Sequence, residues 1–105
     1  RRAILQHLAR AHAAQGRYER AFVAQYRAVA DTLFDPVETS VEELYDLERF
    51  ARAAGRMRKA GALLVFLEEF RLMPDDEDWK AKLRKEWAQV GLPPSEPLEE
   101  LATHE

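Results

Sequence analysis

Apolar residues recur at three- and four-residue steps along most of this chain, and no stretch shows the two-residue alternation of a strand. The first stripe, Ile4, Leu5, Leu8, Ala9 and His12, predicts a helix over about residues 2–14. Gln15-Gly16 ends it, because glycine takes the left-handed conformation that closes a helix at no steric cost. A second helix over about 17–33 carries Tyr18, Ala21, Phe22, Tyr26, Val29 and Leu33 on one stripe. Ala21 and Ala24 are small enough to let the two backbones approach closely. In the loop 34–39, Pro36 disfavours a helical conformation at Asp35.

Ser40-Val41-Glu42-Glu43 has the spacing of a capping box, so a third helix starts at Ser40 and runs to Gly55. Its apolar face is Val41, Leu44, Leu47, Phe50, Ala51 and Ala54. Glu48 and Arg52 stand at the i,i+4 spacing that adds a little support outside the core. The fourth helix, about 57–72, carries Ala60, Leu63, Leu64, Phe66, Leu67 and Phe70 on nearly every side. Such a helix packs against two neighbours or leaves one side as a patch for a partner. Pro74 stops it. Asp75-Asp76-Glu77-Asp78 then sets four carboxylates at the start of a fifth helix, about 76–90, where the macrodipole favours negative charge. Trp79, Leu83, Trp87 and Val90 share one face of that helix, and Gly91 ends it. Residues 92–105 are proline-rich and acidic, a tail or linker with at most a short helix over 98–101. The pattern is an all-α antiparallel array of about five helices, with residues 1–91 as its domain.

Composition narrows the class further. The chain has 105 residues, 47% of them hydrophobic, which suits one small domain or a piece of a larger protein. It starts at Arg1 with the helical pattern already running, as expected of an excised segment or a trimmed N-terminus. With no cysteine there is no disulfide and no thiolate metal site. The longest apolar run, residues 61–67, is too short to span a bilayer. The simplest localisation is cytoplasmic. Net charge is −3 but uneven: residues 1–34 set six arginines against Glu19 and Asp31 (+4), residues 35–60 carry −1, and residues 61–105 carry −6. That asymmetry fits an acidic partner at the N-terminal end, head-to-tail stacking, or a solvated surface.

The two helix–glycine–helix stretches recur with similar spacing. Gly16 and Gly55 are 39 residues apart, and Gly55 and Gly91 are 36 apart. With Leu5, Leu8, Ala9, Tyr18, Ala21 and Ala28 in one unit and Leu44, Leu47, Ala60, Leu64 and Leu67 in the next, the chain resembles tetratricopeptide repeats, whose period is about 34. The resemblance implies units at about 2–34, 40–73 and 75–91, the last being a C-terminal capping helix. Two positions depart from the family pattern. Gln25 stands where an aromatic is usual, with Tyr26 beside it, and Glu48 replaces a small residue, which implies a looser second hairpin. The run from Gly16 to Tyr45, with Leu33-Phe34-Asp35-Pro36-Val37-Glu38-Thr39-Ser40, is also similar to the bacterial transcriptional activation domain, itself built of such repeats.

Sites of chemistry are absent from the pattern. His7 and His12 are five apart on a helix and point to different sides. No serine or threonine has a histidine placed to activate it, no glycine-rich phosphate loop occurs, and the acids at 75–78 lack the glycine and spacing of a calcium loop. The expectation is a non-enzyme without cofactor or metal. The acidic balance and the lack of a reading helix argue against direct nucleic-acid contact. The tetratricopeptide resemblance implies that the first helix of each hairpin lines a groove, contributed here by Gln6, Arg10, Tyr45, Arg49, Arg52 and Lys85. Either those cations receive an acidic or C-terminal-carboxylate peptide, or they solvate the surface and pair with Glu42 and Glu48. The expected function is therefore protein–protein interaction or regulatory scaffolding within a larger protein. The alternatives are a regulatory segment of a bacterial transcription factor or signalling protein, and a self-associating module using helix four or Trp79 and Trp87.

Overall fold

The computed structural model describes residues 1–91. Five α-helices follow in order: α1 (Arg2–Ala14), α2 (Tyr18–Val29), α3 (Val41–Ala53), α4 (Met57–Phe66) and α5 (Glu77–Ala88). A 3-10 turn, Ala30–Thr32, prolongs α2, and a π-helical segment, Leu67–Arg71, prolongs α4. No strand occurs among the described residues, so the chain is all-α. The tail 92–105 and the short helix expected over 98–101 lie outside the described residues.

Two closely similar turns build the hairpins. At the first, Gly16 has φ 75°, its N–H donates to the Ala13 carbonyl (3.0 Å), and the Arg17 N–H donates to the His12 carbonyl (2.9 Å). At the second, Gly55 has φ 82°, its N–H donates to Arg52 (3.1 Å), and Arg56 donates to Ala51 (2.8 Å). Each is a Schellman closure, which satisfies carbonyls that the helix end leaves without partners. Ala9 and Ala21, both fully buried, let α1 and α2 approach closely. α3 packs on both α2 and α4. It begins with the expected capping box: the Glu43 N–H donates to the Ser40 hydroxyl (3.2 Å) and the Ser40 N–H donates to the Glu43 carboxylate (2.8 Å). Leu44, Leu47 and Phe50 are fully enclosed, each stabilising the fold by about 1.5–3 kcal/mol.

Three assignments of apolar faces differ from the sequence pattern, one of them Val90, which is 55% exposed and lies past the end of α5. In α1, Ile4 is 71% exposed and Leu8 47%, and the buried residue is Ala9. The inner side of α1 is completed instead by the half-buried Arg2 and Gln6, both of which hydrogen-bond to Glu43. Leu5 and Leu8 border a shallow groove with His12, Val23 and Ala24. In the fourth helix, Phe70 is 60% exposed while Leu72 is buried. The reason is the π turn: the Leu72 N–H donates to the Leu67 carbonyl (2.7 Å), an i to i+5 bond. The wider turn carries Phe70 out of the core and brings Leu72 under Leu67. The fourth helix is enclosed on several sides upstream of this point, with Ala60, Ala62, Leu63, Leu64 and Phe66 all buried.

The loop after α2 is held by polar side chains. Asp35 Oδ1 accepts from the Val37 N–H (2.9 Å) and the Glu38 N–H (3.3 Å). Thr39 is fully buried, its hydroxyl donating to the Thr32 carbonyl (2.7 Å). Arg2 reaches into this loop with bonds to the Ala28 and Glu38 carbonyls (3.2 and 2.8 Å) as well as to both oxygens of Glu43 (3.0 Å each). One arginine thus ties α1, the end of α2, the loop and α3 together.

Candidate functional site

The six residues expected to line a groove lie in α1, α3 and α5, and five of them fall in three separate polar clusters. Gln6 donates to Glu43. Arg10 stands 3.6 Å from Asp46, whose other oxygen accepts from Arg49 (3.1 Å). Arg52 donates to Glu48 through Nε and Nη2 (2.7 and 2.9 Å) and to Glu86 (2.7 Å). Tyr45 donates to the second oxygen of Glu86. Lys85 is exposed on α5.

Burial and pairing set the charge states along this chain. Burial alone would push the Glu43 carboxyl up, but hydrogen bonds from Arg2, the Ser40 N–H and Gln6 outweigh it and hold Glu43 at about 2. Burial pushes Glu48 up, against the opposing pull of Arg52. Burial likewise works against the charge on Arg52 and on Glu86. Hydrogen bonds to Glu48 and Glu86 prevail at Arg52 and raise its pKa, and those from Tyr45 and Arg52 prevail at Glu86 and lower its pKa. The Tyr45 phenol is raised by burial and by Glu86.

Glu48 is fully enclosed, so the Glu48–Arg52 pair lies inside the core and not outside it as the spacing implied. The second hairpin closes around this pair, and the expected looseness at Glu48 is not what the packing shows: Ala51, Ala60 and Leu63 nearby are fully buried. Through Glu86 the pair also joins α3 to α5. The Arg52 guanidinium lies 5.4 Å from the Trp87 ring, and Tyr45 meets Trp79 edge-on at 5.1 Å. Gln25, at the position where an aromatic was expected, is buried and donates to the Glu43 carbonyl (3.0 Å). Tyr26 stacks on Phe22 at 5.8 Å.

A second surface is a cleft of about 320 Å³ between α2 and the start of α4. Phe22, Val23 and Tyr26 supply its apolar wall, with Ala30 beyond. Arg1, Arg27, Arg56 and Lys59 supply four cationic groups. Arg56 lies 4.8 Å over the Phe22 ring, and the Lys59 ammonium lies 5.4 Å from the Tyr26 ring. Glu19 accepts from Arg56 (3.0 Å) at one end. The hydrogen bond from Arg56 lowers the Glu19 pKa, and burial raises that of Tyr26. The signal for this cleft was present in the sequence as Phe22, Tyr26 and Ala30 at four-residue steps, with Arg27 beside them. It needed the knowledge that the first turn of α4 faces them.

A third feature is apolar. Phe34, 53% exposed, meets Phe66 edge-on at 5.3 Å, and Phe66 stacks on the exposed Phe70 at 6.1 Å. Among the described residues no group of three or more His, Asp or Glu is placed to hold a metal ion. No described helix is long and apolar enough to cross a membrane. Comparison with protein-family models, curated proteins and solved structures finds no match to this chain.

Proposed function

We propose that this chain is a tetratricopeptide-like protein-interaction module that receives an acidic, leucine-bearing segment in the α2–α4 cleft. The carrying observation is the cleft's composition: an aromatic wall of Phe22 and Tyr26 set among Arg1, Arg27, Arg56 and Lys59. Aromatic surface gives an apolar side chain a place to bury, and the surrounding cations pair with carboxylates and exclude basic partners. The repeat reading draws support from the matching closures at Gly16 and Gly55 and from polar contacts that join α3 to α1 and to α5. On α3, Arg49 and Arg52 engage Asp46, Glu48 and Glu86, as Arg56 at the cleft engages Glu19.

The test is a titration of the full chain, followed by backbone NMR, with a synthetic peptide of leucine and glutamate. The expected result is shifts at Val23, Tyr26, Ala30 and Lys59 that vanish in Arg27→Glu. Shifts confined to α1, α3 and α5 would move the binding surface to the other face, and no shift at any position at millimolar peptide would sink the reading. Self-association has one specific observation in its favour, the exposed rings of Phe34 and Phe70 on either side of Phe66. Light scattering on the native chain and on Phe70→Asp decides it, a concentration-independent monomer in both removing this second reading.

A further inference from the structure

The shallow groove between α1 and α2 has a counterpart inside the fold. Gly16 and Gly55 close matching hairpins 39 residues apart, so positions in the first hairpin have equivalents in the second. Leu5, Leu8, His12, Arg20, Val23 and Arg27 line the groove. At the same 39-residue offset stand Leu44, Leu47, Ala51, Lys59, Ala62 and Phe66, and all six are buried. Against that side of the second hairpin lies α2. It packs on α3, where Gln25 donates to the Glu43 carbonyl (3.0 Å). It also meets α4, with the Tyr26 ring 5.4 Å from the Lys59 ammonium, and beyond its end Phe34 meets Phe66 edge-on. One helix laid along the hairpin is thus how this fold covers such a surface. In the first hairpin the same surface is open: Leu8 is 47% exposed, its neighbour Ile4 71%, and Arg20 and Arg27 are exposed as well.

We infer that the α1–α2 groove receives an acidic amphipathic helix of another protein, laid along the first hairpin as α2 is laid along the second. Charge names the occupant. Arg20 and Arg27 engage no acceptor among the described residues, and Glu19, the acid at the groove, accepts from Arg56 (3.0 Å). A helix that brings carboxylates to these two arginines forms charge-assisted hydrogen bonds while its apolar stripe covers Leu5, Leu8 and Val23. Two copies of this chain meeting groove to groove would set the same arginines against each other, and like charge disfavours that pairing. Val23 and Arg27 also border the α2–α4 cleft, but Leu5, Leu8, His12 and Arg20 belong to the groove and not to that cleft. The two surfaces can therefore be tested apart.

The test titrates the isotope-labelled full chain with a stapled helix of about 14 residues, ~21 Å long. That helix carries leucines at three- and four-residue steps and glutamates elsewhere. Amide shifts are expected at Leu5, Leu8, His12 and Val23. Arg20→Glu should weaken binding about tenfold, and Leu8→Glu should abolish the shifts. Both substitutions alter exposed residues and leave the unfolding midpoint close to that of the native chain. The same helix with lysine in place of glutamate should not bind. Equal binding of the lysine helix, native affinity in Arg20→Glu, or no shift at millimolar helix overturns the inference. Shifts confined to Ala30 and Lys59, and unchanged in Leu8→Glu, would seat the helix in the α2–α4 cleft. That result overturns the groove and leaves the cleft reading standing. If the native chain dimerises by light scattering and Leu8→Glu does not, the occupant is a second copy, and the partner helix is again overturned.

Discussion

Glu48 and Arg52 form a two-pronged ion pair one turn apart on α3, with contacts of 2.7 and 2.9 Å and with Glu48 wholly enclosed. Arg52 holds Glu86 as well, so a charge inside the second hairpin also fastens α5 to it. Taking a carboxylate out of water is costly, and the pair is tolerated because each carboxylate oxygen of Glu48 receives a donor. Such a pair is a weak source of net stability but a sensitive one, since removal of either member strands the other.

That asymmetry gives the first prediction. Glu48→Ala alone lowers stability by about 3 kcal/mol, because it leaves a cavity and a guanidinium with half its partners. Replacing Glu48 and Arg52 together by methionine brings stability back to within about 1 kcal/mol of the native chain. Urea denaturation of the native chain, Glu48→Met, Arg52→Met and the double methionine variant closes the cycle. Strictly additive effects would show that the pair has no coupling.

Acid should loosen the junction of α1 and α3 through Glu43. Its carboxyl is held at about 2 in the folded chain, against an ordinary value of 4.5. A depressed value means that the folded state favours the charged form. The stabilisation is therefore complete above about pH 4.5 and is lost as pH falls toward 2. At neutral pH it amounts to about 2 kcal/mol after allowance for solvent screening. Glu19 and Glu86 are lowered too and act with the same sign, whereas the raised Glu48 opposes them. Thermal unfolding followed from pH 7 to 2 should show a shallower acid limb in Glu43→Gln than in the native chain. Parallel curves would mean that Glu43 has no depressed pKa.

The elements that local chemistry dictates are legible in the sequence. Gly16 and Gly55 mark left-handed closures because no other residue takes that conformation as freely, and Ser40 with Glu43 marks a helix start because the two caps are reciprocal. Side chains whose partners come from elsewhere in the chain were not legible. Glu48 looks like a solvated i,i+4 partner until Glu86 and Trp87 arrive from α5 to bury it. Arg2 looks like one more surface cation until the loop carbonyls close around it. Phe70 fits the α-helical period, and only the π turn moves it outward. The six residues expected to line a groove lie on helices that the apolar period predicts, but the carboxylates they meet, Asp46 and Glu86 among them, follow from register details that the period does not carry. The α2–α4 cleft was missed for the same reason, since its two walls are far apart in sequence.

The π turn makes a prediction that a regular helix would reverse. Leu72→Ala should destabilise the fold by about 2–4 kcal/mol, the range for a buried leucine truncated in a packed core. Phe70→Ala should cost less than about 1 kcal/mol, since that ring is mostly exposed. Chemical denaturation of the two variants reads the difference directly. A larger loss for Phe70→Ala would place the phenylalanine inside and return the segment to an α-helical register.

The two glycine closures can be tested apart from packing. A Cβ built at Gly16 or Gly55 meets no atom within 4 Å, so any cost of a side chain there comes from the backbone alone. With φ at 75° and 82°, alanine at either position should cost about 1 kcal/mol, and asparagine less, because its short polar side chain tolerates the left-handed region. Gly16→Ala and Gly55→Ala should therefore lower stability by similar amounts, and the combined variant by their sum, as the sites share no partner. Midpoints from urea titration, with unchanged slopes, are the measurement. A loss well above 2 kcal/mol at either glycine would mean that the turn packs more tightly than the structure shows, and no loss at all would mean that the helix ends without the left-handed residue.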